Sequence, residues 1–341
     1  MTAMTERKLD AFEAFRVHVD GDRVRRGVET VEPAVLPPHD VAVAVRYSSV
    51  NYKDALSAGG NRGVTKSYPH TPGIDAAGTV VSSADGRFAP GDEVICTGFD
   101  LGMNTPGGYA TYIRVPGDWL VRRPPNLSAR DAMAIGTAGL TAALALDRLA
   151  DAGVTPELGP LVVTGASGGV GSLAVWLGAN AGYEVVASTG TPSSTALLTS
   201  LGAARVSARQ ELEEPTKRPL LSAEFAGGVD TVGGTTLANL LKRTAVGGAV
   251  AACGLVGGSD LPTTVFPFIL RGVALMGVDS QHAALATRER AWDDLAAAAA
   301  SQGGQLAAVT TEIALHDLDA ALEDVLAGRT VGRLVVRVAG D

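Results

Sequence analysis

The densest chemical signal is a run of small residues between apolar segments. Leu161 to Thr164 is followed by Gly165, Ala166, Ser167, Gly168, Gly169, Val170 and Gly171, then by an apolar stretch and a second β-like segment ending near Ser188. Glycines spaced this way permit a tight turn and let backbone approach a pyrophosphate, while the start of the following helix offers unpaired N–H groups to phosphate oxygens. With strand, loop, helix and second strand in order, Ser167, Gly168, Gly169 and Val170 are expected to hold the phosphates of a dinucleotide. The spacing is Gly-x-x-Gly-x-x-Gly rather than Gly-x-Gly-x-x-Gly, so a merely well-packed strand-to-helix turn is the alternative.

The end of the second strand selects the nucleotide. An acid there binds the ribose hydroxyls of NAD and repels a 2′-phosphate. This chain has Ser188, Thr189, Gly190, Thr191, Pro192, Ser193 and Ser194, with no carboxylate. That points to NADPH, with Thr189, Gly190 and Thr191 at the pocket and Arg209, just past the next strand, placed to reach over. Ser193 and Ser194 are equally read as caps of a following helix.

The elements that must position this loop are legible on both sides of it. After Pro160 the texture alternates between β and α, with strands at LVVT, YEVVAS, ARVSA, GVDTV, AVAAC and VALMGV, as in a doubly wound parallel sheet. From Phe12 to about Asn126 the pattern is short alternating segments, AFRVHVD, DVAVAVRYSSV, GTVVSS, DEVICTG and YATYIRV, separated by proline and glycine turns. That is a β-rich domain. Ser128 followed by Asp131 reads as a capping box opening a long helix to about Ala152. Beyond the alanine-rich helix Thr287 to Ser301 come a strand TEIAL, a helix ended by Gly328, and a strand RLVVRV whose sheet the local pattern leaves open.

Composition bounds the rest. A length of 341 residues suits two domains. Hydrophobic residues make up 46% and charged residues 19%, below the ~25% of ordinary soluble proteins, which excludes a disordered chain. A net charge of -8 excludes a broad basic footprint for nucleic acid or an anionic membrane. Two cysteines, Cys96 and Cys253, make neither a disulfide framework nor a structural zinc site and fit a reducing, cytoplasmic setting. The charged start TERKLD leaves no export signal to be expected. The longest uncharged run, Leu158 to Tyr183, is broken by seven glycines and reads as buried strand, loop and helix rather than a membrane span.

Several further segments carry a family likeness: SSVNYKDAL from Ser48, PHTPGIDAAGTV from Pro69, PGDEV from Pro90, GGYATYIRVPGDWLV from Gly107, IGTAGLTA from Ile135, GVDTVGG from Gly228 and VFPFILRGVALMGVDS from Val265. With the glycine loop, they make the chain resemble the medium-chain dehydrogenase/reductase superfamily, and within it the zinc-free quinone oxidoreductase branch of the YhdH/YhfP type, which includes acryloyl-CoA reductases. The resemblance implies a Rossmann doubly wound sheet at residues 128–303 and a β-rich GroES-like catalytic domain at 1–127 and 304–341, so the last strand returns to the first domain. Zinc relatives carry a Cys near Asn51 and Gly-His-Glu where this chain has Gly73, Ile74 and Asp75, so no metal is expected.

By family position Asn51, Tyr52 and Asp54 line the floor of the cleft, and Arg333 is a basic residue able to reach it. Thr137 and Thr141, with Cys253, Gly254 and Leu255, resemble the positions that meet the nicotinamide. The plainer alternatives are that Asp54 caps a short helix, that Cys253 packs as a small hydrophobe and that Arg333 is a surface strand charge. Related enoyl reductases often place a proton-donating tyrosine beyond the Asn51 segment. Here Ala58 to Gly63 stands there instead, leaving water or Tyr52.

The resemblance thus implies hydride transfer from NADPH to an electron-poor alkene such as acryloyl-CoA, or alternatively to a quinone. A non-catalytic NADPH-binding protein is the contrasting reading. A homodimer is expected through Thr263 to Val278, where Val265, Phe266, Phe268, Ile269 and Leu270 precede an expected edge strand.

Overall fold

The computed structural model describes residues 9–339. The first described elements form a two-stranded antiparallel ribbon, β1 (Phe12–Asp20) and β2 (Arg23–Val31). Next come β3 (Val41–Ser49), β4 (Asp75–Ser83), β5 (Glu93–Thr97), β6 (Tyr112–Val115) and β7 (Leu120–Arg122). Alternation along β3 sends Val41, Val43 and Val45 into a core with Val80, Val94, Ile113 and Leu120. Between β3 and β4 the short helix Tyr52–Ala58 starts from a capping box in which Asn51 is the N-cap and Asp54 the third helical residue.

The helix Ala129–Asp151 follows, with Ser128 Oγ accepting the Asp131 N–H at 3.0 Å as its capping sequence requires. It is not continuous. Gly136 has φ +52° and ψ −158°, a conformation open essentially to glycine alone, and it breaks the helix in two.

A six-stranded parallel sheet then forms from β8 (Leu161–Val163), β9 (Val185–Thr189), β10 (Arg205–Ala208), β11 (Phe225–Asp230), β12 (Thr244–Ala252) and β13 (Ala274–Gly277). Its spatial order is β10-β9-β8-β11-β12-β13, all neighbours parallel. Counted from β8 this is the 3-2-1-4-5-6 order of the Rossmann fold, with the strand order reversing beside β8, where the glycine loop begins. Val162, Val186, Phe225, Leu240 and Val250 form its core.

After the helix Leu285–Ala308, β14 (Thr310–Ala314) and β15 (Arg333–Arg337) join the sheet of the first region. The order there is β14-β15-β3-β4-β5-β7, with β6 also on β3. The last strand thus pairs antiparallel with β3, as the family likeness implies. Two compact units result: residues 9–137, 281–300 and 310–339 in one, and 138–280 with 301–309 in the other.

Candidate active site

In the second unit, the helix Gly169–Asn180 begins at Gly168 with no side-chain cap, so its first N–H groups are left for an external acceptor. The glycines have distinct tasks. Gly165 takes φ +58°, and a Cβ on Gly171 would lie 2.2 Å from the Gly165 carbonyl oxygen, so Gly171 lets the helix close onto the turn. A Cβ on Gly168 would meet only the Gly165 oxygen, at 3.3 Å, which leaves the space in front of the loop open. Uncapped N–H groups and an open glycine face fit a pyrophosphate.

At the end of β9, the buried Thr189 hydroxyl donates to Ser167 Oγ at 2.9 Å and accepts the Thr191 N–H at 3.0 Å. Arg209 is fastened to this strand end by its own N–H, which donates to the Thr189 carbonyl at 2.9 Å. Its side chain lies over Gly190 so closely that a Cβ there would meet the Arg209 Cδ at 2.5 Å. Among the described residues it forms an ion pair with Glu213, at 3.5 Å. Ser194 precedes the helix Thr195–Ser200 but does not cap it with its side chain; its hydroxyl donates to the Thr191 carbonyl at 2.6 Å.

At the carboxyl ends of β12 and β13 lies an open cavity of about 510 Å³, where a doubly wound sheet places its ligands. Cys253, Gly254 and Leu255 line it together with Arg148 and Asp279. The Cys253 Sγ lies 3.4 Å from the Asp230 carbonyl, and burial, then the Asp230 charge, push the thiol up to about 12. It is a neutral thiol with small-hydrophobe character. Arg148 was legible only as a cation at a helix C-terminus, a place where cations are common for dipole reasons. Thr141 donates to Ser280 Oγ at 2.7 Å.

The first unit holds a buried polar constellation centred on Asp75, which sequence reasoning registered only as the residue standing at a zinc family's glutamate. Asp75 is fully buried on β4. Its Oδ2 accepts Ser49 Oγ at 2.5 Å, Asn51 Nδ2 at 2.9 Å and the Thr137 N–H at 2.9 Å, while Oδ1 accepts the Thr137 hydroxyl at 2.5 Å. The break at Gly136 makes this possible, since it frees the Thr137 N–H from the helix ladder. A Cβ on Gly136 would come within 2.6 Å of Asp75 Oδ2. An acid inside the apolar segment GIDAAG was the available signal, because a buried carboxylate must find donors.

Arg333 is not a surface strand charge. It is 3% exposed, and its Nε donates to the Ala134 carbonyl at 2.9 Å while Nη1 donates to the Val50 carbonyl and Asn51 Oδ1, both at 3.3 Å. The Ala134 carbonyl lies two residues before the Gly136 break. Burial pulls the guanidinium below its ordinary pKa, while Asp75 and Asp54 act in the opposite direction. Its Nη2 is buried without a partner among the described residues.

Asp54 is also fully enclosed. Its Oδ1 accepts the Gly73 and Ile74 N–H groups at 3.2 and 2.8 Å, and its Oδ2 accepts the Asn51 N–H at 2.9 Å and Nδ2 at 3.2 Å. It therefore does cap its helix and also pins the turn before β4. Burial, then the Asp75 charge, raise its carboxyl to about 7. Tyr52, by contrast, is 48% exposed.

The residues at the zinc-ligand positions do not fit a catalytic zinc set. Asn51 and Ile74 offer neither thiolate nor imidazole, and among the described residues no group of three or more His, Cys, Asp or Glu side chains converges.

Comparison with known proteins agrees with this geometry. Residues 37–125 match the alcohol dehydrogenase GroES-like domain family and residues 169–300 the family described as zinc-binding dehydrogenase. The acrylyl-CoA reductase AcuI of Ruegeria pomeroyi is 47% identical over 329 residues, covering 96% of this chain and 99% of that protein. The putative quinone oxidoreductase YhfP of Bacillus subtilis is 45% identical over the same shares, and its structure with NAD bound superposes with a TM-score of 0.92 over 96% of this chain and all of that one. The yhdH oxidoreductase of Salmonella enterica, solved in complex with NADP, has a TM-score of 0.93 at 46% identity, covering 96% of this chain and 100% of that one. The chain belongs to this YhdH/YhfP/AcuI family of medium-chain oxidoreductases.

Proposed function

We propose that this chain is an NADPH-dependent reductase that adds hydride to an electron-poor alkene, its acceptor a short enoyl-CoA such as acryloyl-CoA. The observation carrying the cofactor choice is the end of β9, where no carboxylate stands and Arg209 lies over Gly190. The acceptor class rests on likeness to the protein named acrylyl-CoA reductase. A quinone is the second reading, supported by the name of the Bacillus relative.

NADPH, when bound, supplies the hydride. The chain orients and stabilises. Ser167, Gly168, Gly169 and Val170 hold phosphates with backbone N–H groups, and Thr189, Gly190, Thr191 and Arg209 take the adenosine ribose and its 2′-phosphate. Thr137, Thr141, Cys253, Gly254 and Leu255 form the nicotinamide side. Asn51 lies beside the acceptor, its amide oriented on one side by Arg333 and on the other by Asp75. Arg333 contributes a fixed positive charge that favours negative charge developing on a thioester carbonyl, an effect enlarged by low local dielectric. Asp54 positions Asn51, and the proton that completes reduction comes from water or Tyr52.

The working form is a homodimer that joins through β13, the edge strand of the parallel sheet, and the preceding helix Phe266–Arg271. Val265, Phe266, Ile269, Leu270 and Leu275 are exposed there beside an edge strand, whereas Phe268 of the expected stretch is half-buried against the sheet core.

The reaction itself is tested by turnover of acryloyl-CoA with NADPH carrying deuterium at the transferable position. One deuterium at the β carbon of the propionyl-CoA formed supports the reading, and deuterium-free product refutes it.

A further inference from the structure

Several arginines on the first unit are matched. Arg25, Arg87, Arg122 and Arg329 each hold an aspartate or glutamate. Arg62 and Lys66 differ: both are exposed, and neither forms an ion pair among the described residues. On a chain of net charge -8 these are two unneutralised cations in one short loop.

That loop is fixed. The buried hydroxyls of Ser57 and Thr65 lie 2.7 Å apart, and the Tyr68 hydroxyl donates to the Ser57 carbonyl at 2.7 Å, so both ends are tied to the helix Tyr52–Ala58. Val64 and Thr65 donate their N–H groups to the Asn61 carbonyl, each at 3.0 Å. Arg62 Nη1 donates to the Lys66 carbonyl at 2.7 Å, and its guanidinium lies 5.2 Å over the Tyr68 ring centroid. The Lys66 N–H donates to Asn104 Oδ1 at 3.2 Å. The acid next to that asparagine, Asp100, is engaged by Asn104 and Thr105 at 2.8 and 3.2 Å. An arginine stacked on an aromatic ring with the rest of its fork free is preorganised for a phosphate.

The helix that begins at Asn51 separates this loop from the proposed reacting position by seven residues, about 10 Å of helix axis. A CoA thioester carries its acyl group at one end of a flexible pantetheine arm and its phosphates at the other, an arm long enough to bridge that distance. We infer that Arg62 and Lys66 bind the phosphates of the acceptor's CoA moiety. This rests on the enoyl-thioester reading above, and it gives the loop a task that a quinone, lacking any anionic tail, would leave undone.

The test compares kcat/KM for acryloyl-CoA and for acryloyl-pantetheine, which lacks the phosphoadenosine diphosphate, in wild type and in Arg62→Gln/Lys66→Gln. The CoA-to-pantetheine ratio should fall about tenfold in the double variant, the loss expected for charge-assisted bonds at an exposed site. In wild type alone the same ratio should decline as salt is raised, since exposed charges are screened. A ratio unmoved by the substitutions, or by salt if the variant does not fold, overturns the assignment while leaving thioester reduction standing. A wild type that reduces neither thioester overturns the enoyl-thioester reading and this inference with it.

Discussion

The guanidinium of Arg333 donates to the side-chain oxygen of Asn51 at 3.3 Å, across 282 residues of chain. The contact exists because β15 pairs with β3, so the last strand orients a residue at the start of the helix Tyr52–Ala58. The opposite side of the same amide, Nδ2, donates to Asp75, and the Asn51 plane is thereby fixed from two directions.

Replacing Arg333 by Met tests that relationship. The substitution strands three acceptors, the Ala134 and Val50 carbonyls and Asn51 Oδ1, in a buried site. A loss of about 2–4 kcal/mol in unfolding free energy is expected from orphaned buried groups. In the folded fraction kcat should fall more than the acceptor KM rises, because orientation rather than binding is lost. Urea denaturation with steady-state kinetics reads both, and an unchanged kcat contradicts the placement of Asn51.

Asp54 makes stability depend on pH in a direction opposite to most carboxylates. Its folded carboxyl stands near 7 against an ordinary 3.8, so between those values the folded state holds a proton that the unfolded state releases. The stabilisation is complete below 3.8 and is lost as pH rises toward 7. Wild type should therefore lose on the order of a few kcal/mol relative to Asp54→Asn across this window. Parallel denaturation curves from about pH 5 to 8 check it, and identical pH profiles for the two proteins dispose of it.

Arg209 should decide the nucleotide. Arg209→Ala is expected to lower the NADPH to NADH preference about tenfold, since the charged partner of the 2′-phosphate is removed. Affinity for NADH should hardly move. Titration of both nucleotides by fluorescence or calorimetry gives the ratio, and a preference that survives the substitution places the 2′-phosphate elsewhere.

The exposed apolar surface at β13 should be covered by a second copy. Glutamates placed at both Leu270 and Leu275 put four like charges at a two-fold contact and should yield monomers at micromolar concentration. Analytical ultracentrifugation distinguishes the states. Wild type sedimenting as a monomer under those conditions would end the proposal.

Much of this architecture was legible because period and punctuation coincide. The alternation after Pro160 yields the parallel sheet, and the capping pair Ser128 and Asp131 marks the long helix within a residue. Strand β2 was not legible, for a physical reason: RVRRGVETV lies in a two-stranded ribbon with every residue exposed or half-buried, so nothing enforces apolar alternation. Gly136 carries no local sign of a break, and only the three-dimensional positions of Asp75 and Arg333 explain why the helix must open there. The sheet of β15 likewise depends on a pairing between distant segments, which local pattern cannot encode and the family likeness supplied. Of the candidate site, the glycine loop and strand end were readable as motifs, whereas Asp75 became visible as a centre only once its four donated bonds were in view.

The most direct test is a steady-state comparison of acryloyl-CoA with a panel of quinones, each with NADPH and with NADH. Acryloyl-CoA with NADPH should give the highest kcat/KM, by about tenfold or more over any quinone and over NADH, with stoichiometric propionyl-CoA as product. Faster turnover of a quinone than of any enoyl thioester, or tight NADPH binding with no turnover of either class, would contradict it.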